Sequence, residues 1–185
     1  MGIILALAPF IVFAVADHLV GTTSALIAGA VVAALLLGRD LLRGRSAKVL
    51  EVGTVILFGS LAVYAVAGGP AWSVIGVRLL VDAGLLVIVL VSMAIRRPFT
   101  LQYAREQVPR EYWDRPEFVR TSYIITLVWA AAFLVMVLAD ALLLFAPSAP
   151  IAIAIGAIVV AFLAAVQFTA WYPKRVRARA AALAK

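Results

Sequence analysis

The chain has 185 residues, of which 66% are hydrophobic and 14% are charged. A soluble domain is about half apolar and about a quarter charged, so this composition excludes an ordinary water-soluble domain and predicts a protein solvated by lipid. The formal net charge of +7 does not by itself indicate nucleic-acid binding, because the basic residues of a membrane protein concentrate in particular loops. The chain contains no cysteine, which excludes disulfides, thiolate metal sites and cysteine nucleophiles.

Six apolar blocks separated by polar stretches follow one another along the chain. A helix of roughly twenty apolar residues crosses about 30 Å of hydrocarbon, and most of the blocks approach that length. We predict an all-α fold, a polytopic membrane helix bundle that forms one transmembrane domain over residues 1–185, with six transmembrane helices and one cytoplasmic interfacial segment. The predicted spans are residues 3–20, 24–37, 49–67, 74–95, 123–145 and 151–172.

The first two spans are the least regular. Span one contains Ala14-Val15-Ala16, which resembles a signal-peptidase site, but no lysine or arginine precedes it, so we expect this helix to be retained. Span two reaches only about 21 Å as a helix, which is less than the thickness of the hydrocarbon core. We expect it to tilt little, to extend at its ends or to thin the bilayer locally.

The basic residues indicate an orientation. Of the 16 lysines and arginines, all but Arg78 lie between spans two and three, between spans four and five, or after span six, and the alternate connections contain none. By the positive-inside rule the basic connections face the cytoplasm, and both termini lie on that side. This pattern predicts a multi-pass protein of the bacterial inner membrane with a basic C-terminal tail over residues 173–185.

Several polar residues fall inside the spans or close to their ends. Arg78 and Asp82 are four residues apart on one face of span four, where a charge-assisted contact can form. Ionisable side chains are costly in lipid, so those inside spans are candidate functional residues. The predicted topology places six such groups in the outer half of the membrane. This candidate intramembrane polar site comprises Arg78, Asp82, Asp140, Asp17, His18 and Tyr64.

Two interpretations of this polar site stay open. It is either a structural ion pair and hydrogen-bond network that holds the helices together, or a water-filled pocket that binds a cation or a proton. With one histidine, no cysteine and no spacing typical of metal ligands, the chain predicts no metal site and no cofactor. It also lacks a nucleophile-elbow, P-loop or dinucleotide-binding motif, so we predict no catalytic residues and no enzymatic activity.

The connection over residues 96–121 is the longest polar stretch and mixes aromatic residues with six arginines and four acids. A short helix from about Thr100 to Gln107 should end before Val108-Pro109, with Phe99 and Tyr103 dipping into the lipid headgroups. The connection is then either an ordinary membrane-lying segment or a docking surface for a partner or an acidic lipid. Its charge balance of only +2 argues against nucleic-acid binding.

Three stretches of the chain carry a resemblance to a known family. They are Leu7 to Phe13 in span one, Arg97-Pro98-Phe99 followed by Val108-Pro109 and Trp113, and the aromatic stretch Trp129 to Phe133. On these residues the chain resembles the intracellular septation protein A family, also called the inner membrane-spanning YciB family. It resembles a divergent branch, because valine replaces the usual leucine before Pro109, residues 111–121 form a longer segment, and Asp140 stands at the polar position near the end of span five.

The resemblance implies a non-enzymatic inner-membrane protein of septation and cell-envelope maintenance. Such a protein acts through contacts with lipids and with division or cell-wall elongation proteins, and the resemblance supplies no catalytic residue. The candidate partner segment comprises Arg97, Pro98, Phe99, Tyr103, Pro109 and Trp113. The alternative function is a small transporter or ion or proton pathway built around Arg78, Asp82 and Asp140, which we would expect to act as a homo-oligomer because six short helices enclose little space.

Overall fold

The apolar blocks of the sequence form helices in the computed structural model, which describes residues 5–68, 73–146 and 148–183. No strand occurs in these residues, and the prediction of an all-α membrane bundle is confirmed. These residues also contain one 3₁₀ turn, Arg110–Tyr112. In chain order the α-helices are α1 (Ala8–Val20), α2 (Thr22–Leu42), α3 (Val49–Val66), α4 (Val74–Ala94), α5 (Phe99–Arg105), α6 (Pro116–Phe145) and α7 (Ile151–Leu183).

Helices α2, α3, α4, α6 and α7 are long and apolar enough to cross a membrane, so the chain is a multi-pass membrane protein. Their outward faces carry large apolar side chains such as Leu35 and Val160, which are 66% and 68% exposed. Such a surface suits lipid and not water. Helix α1 is apolar but has only 13 residues, about 20 Å, and residues 3 and 4 of the predicted first span lie outside the described residues. Six membrane crossings therefore stay a prediction.

Glycines determine where α2 begins and ends. Gly21, with φ of +84°, is the one residue between α1 and α2. At the other end Gly44 has φ of +69°, its N–H donates to the Leu41 carbonyl at 3.0 Å, and the Arg45 N–H donates to the Asp40 carbonyl at 3.0 Å. These bonds form a Schellman motif. Helix α2 therefore has 21 residues, so span two extends beyond the predicted 24–37 at both ends, which was one of the three expectations for it. Its last turn includes Arg39 and Asp40.

The chain forms two compact units, Met1–Ser92 and Met93–Lys185. In the first unit α2 packs against both α1 and α3, and the core centres on Phe58, which is fully buried. The rings of Phe10 and Phe13 lie 5.1 and 5.7 Å from the Phe58 ring. A Cβ atom at Gly29 would come within 2.7 Å of the same ring, so the close approach of α2 and α3 requires glycine there.

In the second unit α6 packs against α5 and α7. Trp129 on α6 is 1% exposed, and its ring lies 5.4 Å from Phe133 and 5.7 Å from Phe162 on α7. Both long helices extend beyond the predicted spans, because α6 begins at Pro116 and α7 continues to Leu183. The end of the predicted connector and most of the predicted basic tail are therefore helical.

Candidate functional site

The most developed polar cluster of the first unit lies where α2 turns into α3. Lys48 is 1% exposed, and its ammonium nitrogen lies 2.8 Å from Asp40 Oδ2 and 3.0 Å from Glu51 Oε1. Asp40 Oδ1 also accepts from Arg39 Nη2 at 2.9 Å, and Arg45 lies 3.7 Å from Asp40 Oδ2. We call these five residues the Lys48 network. Three cations surround two carboxylates, so neither acid carries an uncompensated charge.

Local structure brings this network together. The Schellman motif at Gly44 ends α2 just after Asp40, and the four residues 45–48 lead directly into α3. Glu51 lies in the first turn of α3, where the helix dipole favours an acid, and Arg39 lies in the last turn of α2, where it favours a cation. The arrangement can hold α2 against α3 electrostatically, and its paired acids are poorly suited to acid–base catalysis.

The sequence interpretation of these cations was incomplete. The distribution of basic residues predicts only that Arg39, Arg45 and Lys48 are loop charges that set the orientation, yet Lys48 is among the largest fully buried side chains in the described residues. A buried lysine must pair with acids, because an isolated buried charge is very costly. The sequence feature that indicates such a pair is Glu51. It lies three residues after Lys48 at the start of an apolar block, and an acid there has no part in setting the membrane orientation.

The predicted intramembrane polar site divides between the two units. Asp17 on α1 is 9% exposed and accepts a hydrogen bond of 2.7 Å from Thr22 Oγ1, so it closes the α1–α2 turn. His18 is exposed, and Tyr64 on α3 is 39% exposed. Arg78 and Asp82 on α4 are both half-buried. Their predicted direct contact stays a prediction.

Asp140 belongs to the second unit. It lies five residues before the end of α6 and is 1% exposed, the most completely buried carboxylate in the described part of the chain. A buried acid in an apolar helix is a functional hypothesis by default. No group of three or more histidine, aspartate or glutamate side chains is placed to hold a metal ion within residues 5–68, 73–146 and 148–183.

The first part of the predicted interfacial segment is anchored to the second unit. Helix α5 runs from Phe99 to Arg105, close to the predicted 100–107, with Pro98 at its N-cap. Thr100 Oγ1 lies 2.7 Å from the Ser122 carbonyl oxygen and 2.7 Å from Thr126 Oγ1 on α6. Thr100 and Thr126 are 2% and 0% exposed, so these bonds are shielded from water. Helix α5 is thus fixed to α6.

The prediction that Phe99 and Tyr103 dip into the headgroups is wrong. They are 0% and 2% exposed, because the buried threonine contacts turn this face of α5 towards the protein. Arg97 is exposed, and its carbonyl accepts a hydrogen bond of 2.8 Å from Gln102 Nε2. This bond stabilises the turn that leads into α5.

From the last residue of α5 to the start of α6 the connector carries arginines stacked on aromatic rings. The guanidinium carbons of Arg105 and Arg110 lie 5.4 and 5.6 Å from the centre of the Trp113 ring, and that of Arg115 lies 4.4 Å from the Tyr112 ring. We call these five residues the arginine–aromatic surface. Pro109 is the N-cap of the 3₁₀ turn that carries it, and the Val108 carbonyl accepts from Trp113 Nε1 at 3.2 Å.

This surface has the composition of a contact site. Tyrosine, tryptophan and arginine are the residues most enriched at protein–protein hot spots. Tyr112 is 38% exposed, and the cation–π contacts restrict the arginine side chains before any partner binds. The sequence interpretation included Trp113 and Pro109 in this segment but did not predict which arginines stack on which ring.

No protein-family model, curated protein or solved structure matches this chain. The resemblance to the septation protein A family therefore rests on the residues quoted from the sequence and stays a prediction.

Proposed function

We propose that this chain is a non-enzymatic membrane protein that acts by binding a protein partner through the arginine–aromatic surface. The observation that carries the proposal is the stacking of Arg105, Arg110 and Arg115 on Trp113 and Tyr112 next to a helix fixed by buried hydrogen bonds. A surface that is ordered before binding loses less conformational entropy when a partner binds. The resemblance to the septation protein A family supports division or cell-wall elongation proteins as partners.

The proposed location is the bacterial inner membrane with both termini in the cytoplasm. The distribution of lysine and arginine supports it, because every basic residue except Arg78 lies in alternate connections or after the last span. In this orientation the arginine–aromatic surface faces the cytoplasm, where cytoplasmic parts of division and elongation assemblies can reach it.

The functional test replaces both rings of the arginine–aromatic surface at once, the exposed Tyr112 and the half-buried Trp113. We expect cells lacking this protein to show cell-length and envelope defects, and we expect the Tyr112→Ala/Trp113→Ala double variant to reach the membrane in normal amounts but to fail to correct them. Loss of the rings removes both the contact area and the support for three arginines. The matched control is Trp171→Ala, which removes a ring that is 49% exposed and also carries an arginine, Arg175, but lies outside the surface, and it should correct the defects fully. Full correction by the double variant would contradict the proposal.

A second candidate function is a small ion or proton pathway, and it rests on the burial of Asp140. A carboxylate that is 1% exposed within an apolar helix is the kind of group that proton pathways use. For this function we expect Asp140→Asn to abolish proton flux in reconstituted vesicles while the helical signal is retained. The control Asp114→Asn changes a side chain that is 98% exposed and should leave the flux unchanged. Vesicles of the unaltered protein without flux would exclude this candidate.

A further inference from the structure

The turn that carries the arginine–aromatic surface is held by its own backbone. The N–H groups of Tyr112, Trp113 and Arg115 donate to carbonyls three residues earlier, at 3.1, 3.1 and 3.2 Å. Trp113 Nε1 also donates to the Val108 carbonyl at 3.2 Å, which fixes the indole ring that Arg110 approaches. The rings and the guanidinium groups that stack on them therefore keep defined positions before a partner binds.

Two arginines of this surface have no counter-charge beside them. Arg110 and Arg115 are exposed, and neither side chain makes a hydrogen bond or an ion pair within the described residues. Arg105 differs, because its guanidinium lies 3.8 Å from Asp114 and is only half-exposed. Acids stand close by in the sequence, at positions 111, 114 and 117, but none of them pairs with Arg110 or Arg115 in the described structure.

Stacking on a ring leaves the N–H donors of these two arginines available. The face of an aromatic ring attracts the positive charge of a guanidinium but does not satisfy its five N–H donors. The planar fork of these donors matches the two oxygens of a carboxylate. Arg110 and Arg115 can therefore each bind a carboxylate while the ring beneath restricts the side chain.

The acids of the same segment indicate which kind of anion fits. Glu111, Asp114 and Glu117 are exposed among the arginines. A continuous anionic surface, such as a layer of acidic headgroups, would meet these carboxylates as well as the guanidinium groups, and like charges that face each other are costly. A peptide carries its carboxylates at discrete positions, so it can meet the arginines and avoid the acids.

We propose that the arginine–aromatic surface binds a segment of a partner protein that presents two carboxylates, one to Arg110 and one to Arg115. This assignment rests on the proposed function and names the chemistry of the partner. The rings of Tyr112 and Trp113 supply contact area, and the two ion pairs select the segment. An apolar segment would leave both guanidinium groups covered without an acceptor, which is unfavourable.

The test uses the full chain in phosphatidylcholine nanodiscs and short glycine–serine peptides that carry two glutamates at varied separations. Each peptide has a counterpart with two glutamines. We expect the best glutamate peptide to bind about 25-fold more tightly than its counterpart, because each exposed ion pair contributes up to about fivefold. Arg110→Gln and Arg115→Gln should each weaken its binding about fivefold, and the double variant about 25-fold.

The controls separate charge from folding. Arg177→Gln removes an exposed arginine of α7 and should leave peptide binding unchanged. The double variant Arg110→Gln/Arg115→Gln should keep the helical signal and unfolding midpoint of the unaltered protein, because both side chains are exposed. Equal binding of every glutamate peptide and its glutamine counterpart would overturn the proposal, and so would full binding of the best peptide by the double variant.

Photo-crosslinking from position 112 in native membranes distinguishes this failure from a failure of the proposed function. We expect protein products that require Trp113 and that are largely lost in Arg110→Gln/Arg115→Gln. Protein products that require Trp113 but are unchanged in the double variant would overturn the acidic partner and leave the proposed function standing. Products with lipid alone would contradict both, because the surface would then lie against headgroups.

Discussion

Replacing Lys48 with methionine should lower the free energy of unfolding by roughly 3–5 kcal/mol, because it removes the cation that two buried carboxylates share. The ammonium lies 2.8 Å from Asp40 and 3.0 Å from Glu51, and both acids are buried with it. Asp40 still has Arg39 and Arg45 nearby in this variant. Most of the lost stability therefore comes from removing the ammonium group beside Glu51. The measurement is the unfolding of the purified protein in detergent, followed by circular dichroism.

A second variant separates the ion network from simple packing. In Lys48→Met/Glu51→Leu one cation and one acid are removed together, which leaves Asp40 with its two arginines, and we expect most of the lost stability to return. Lys174→Met replaces an exposed lysine and should have little effect. If Lys48→Met were no more destabilising than Lys174→Met, Lys48 would not be buried in an ion network.

The second large effect concerns Trp129. Its side chain is 1% exposed, packs between Phe133 and Phe162, and donates from Nε1 to Thr169 Oγ1 at 2.9 Å. Trp129→Ala should therefore lower the free energy of unfolding by roughly 3–5 kcal/mol through a cavity between α6 and α7. Trp129→Phe keeps a ring but removes the donor, and should cost about 1 kcal/mol for the hydrogen bond in addition to a smaller packing loss.

The control for Trp129 is an exposed tryptophan on α7. Trp171 is 49% exposed, so Trp171→Ala should change the unfolding midpoint far less than Trp129→Ala. Equal midpoints for the two alanine variants would mean that Trp129 does not fill the space between α6 and α7.

The class of fold could be predicted from hydropathy alone, because every apolar block of sufficient length became a helix. The ends of the helices could not be predicted from hydropathy, because they depend on local hydrogen bonds. Span two was predicted to end at residue 37, but the glycine at position 44 and its backbone contacts carry α2 on to Leu42. That extension of α2 through its cap placed Asp40 within reach of Lys48.

The candidate sites likewise combine features that the sequence predicts with features that it does not. Composition indicated that residues 96–121 form an interfacial connector, and α5 lies where proline placement predicted it. Which face of α5 turns inward depends on Thr100 meeting Ser122 and Thr126 more than twenty positions later in the chain, which no local pattern predicts. Phe99 and Tyr103 were therefore assigned to lipid when they are buried in the protein.

Site-specific photo-crosslinking in native membranes tests the claim that the arginine–aromatic surface binds a protein partner. A photoreactive amino acid at position 112 should capture division or cell-wall elongation proteins, and Trp113→Ala in the same chain should abolish those products. The same group at position 160, where valine is 68% exposed on α7, should capture lipid only. Identical products from positions 112 and 160, or products from 112 that persist in Trp113→Ala, would contradict the claim.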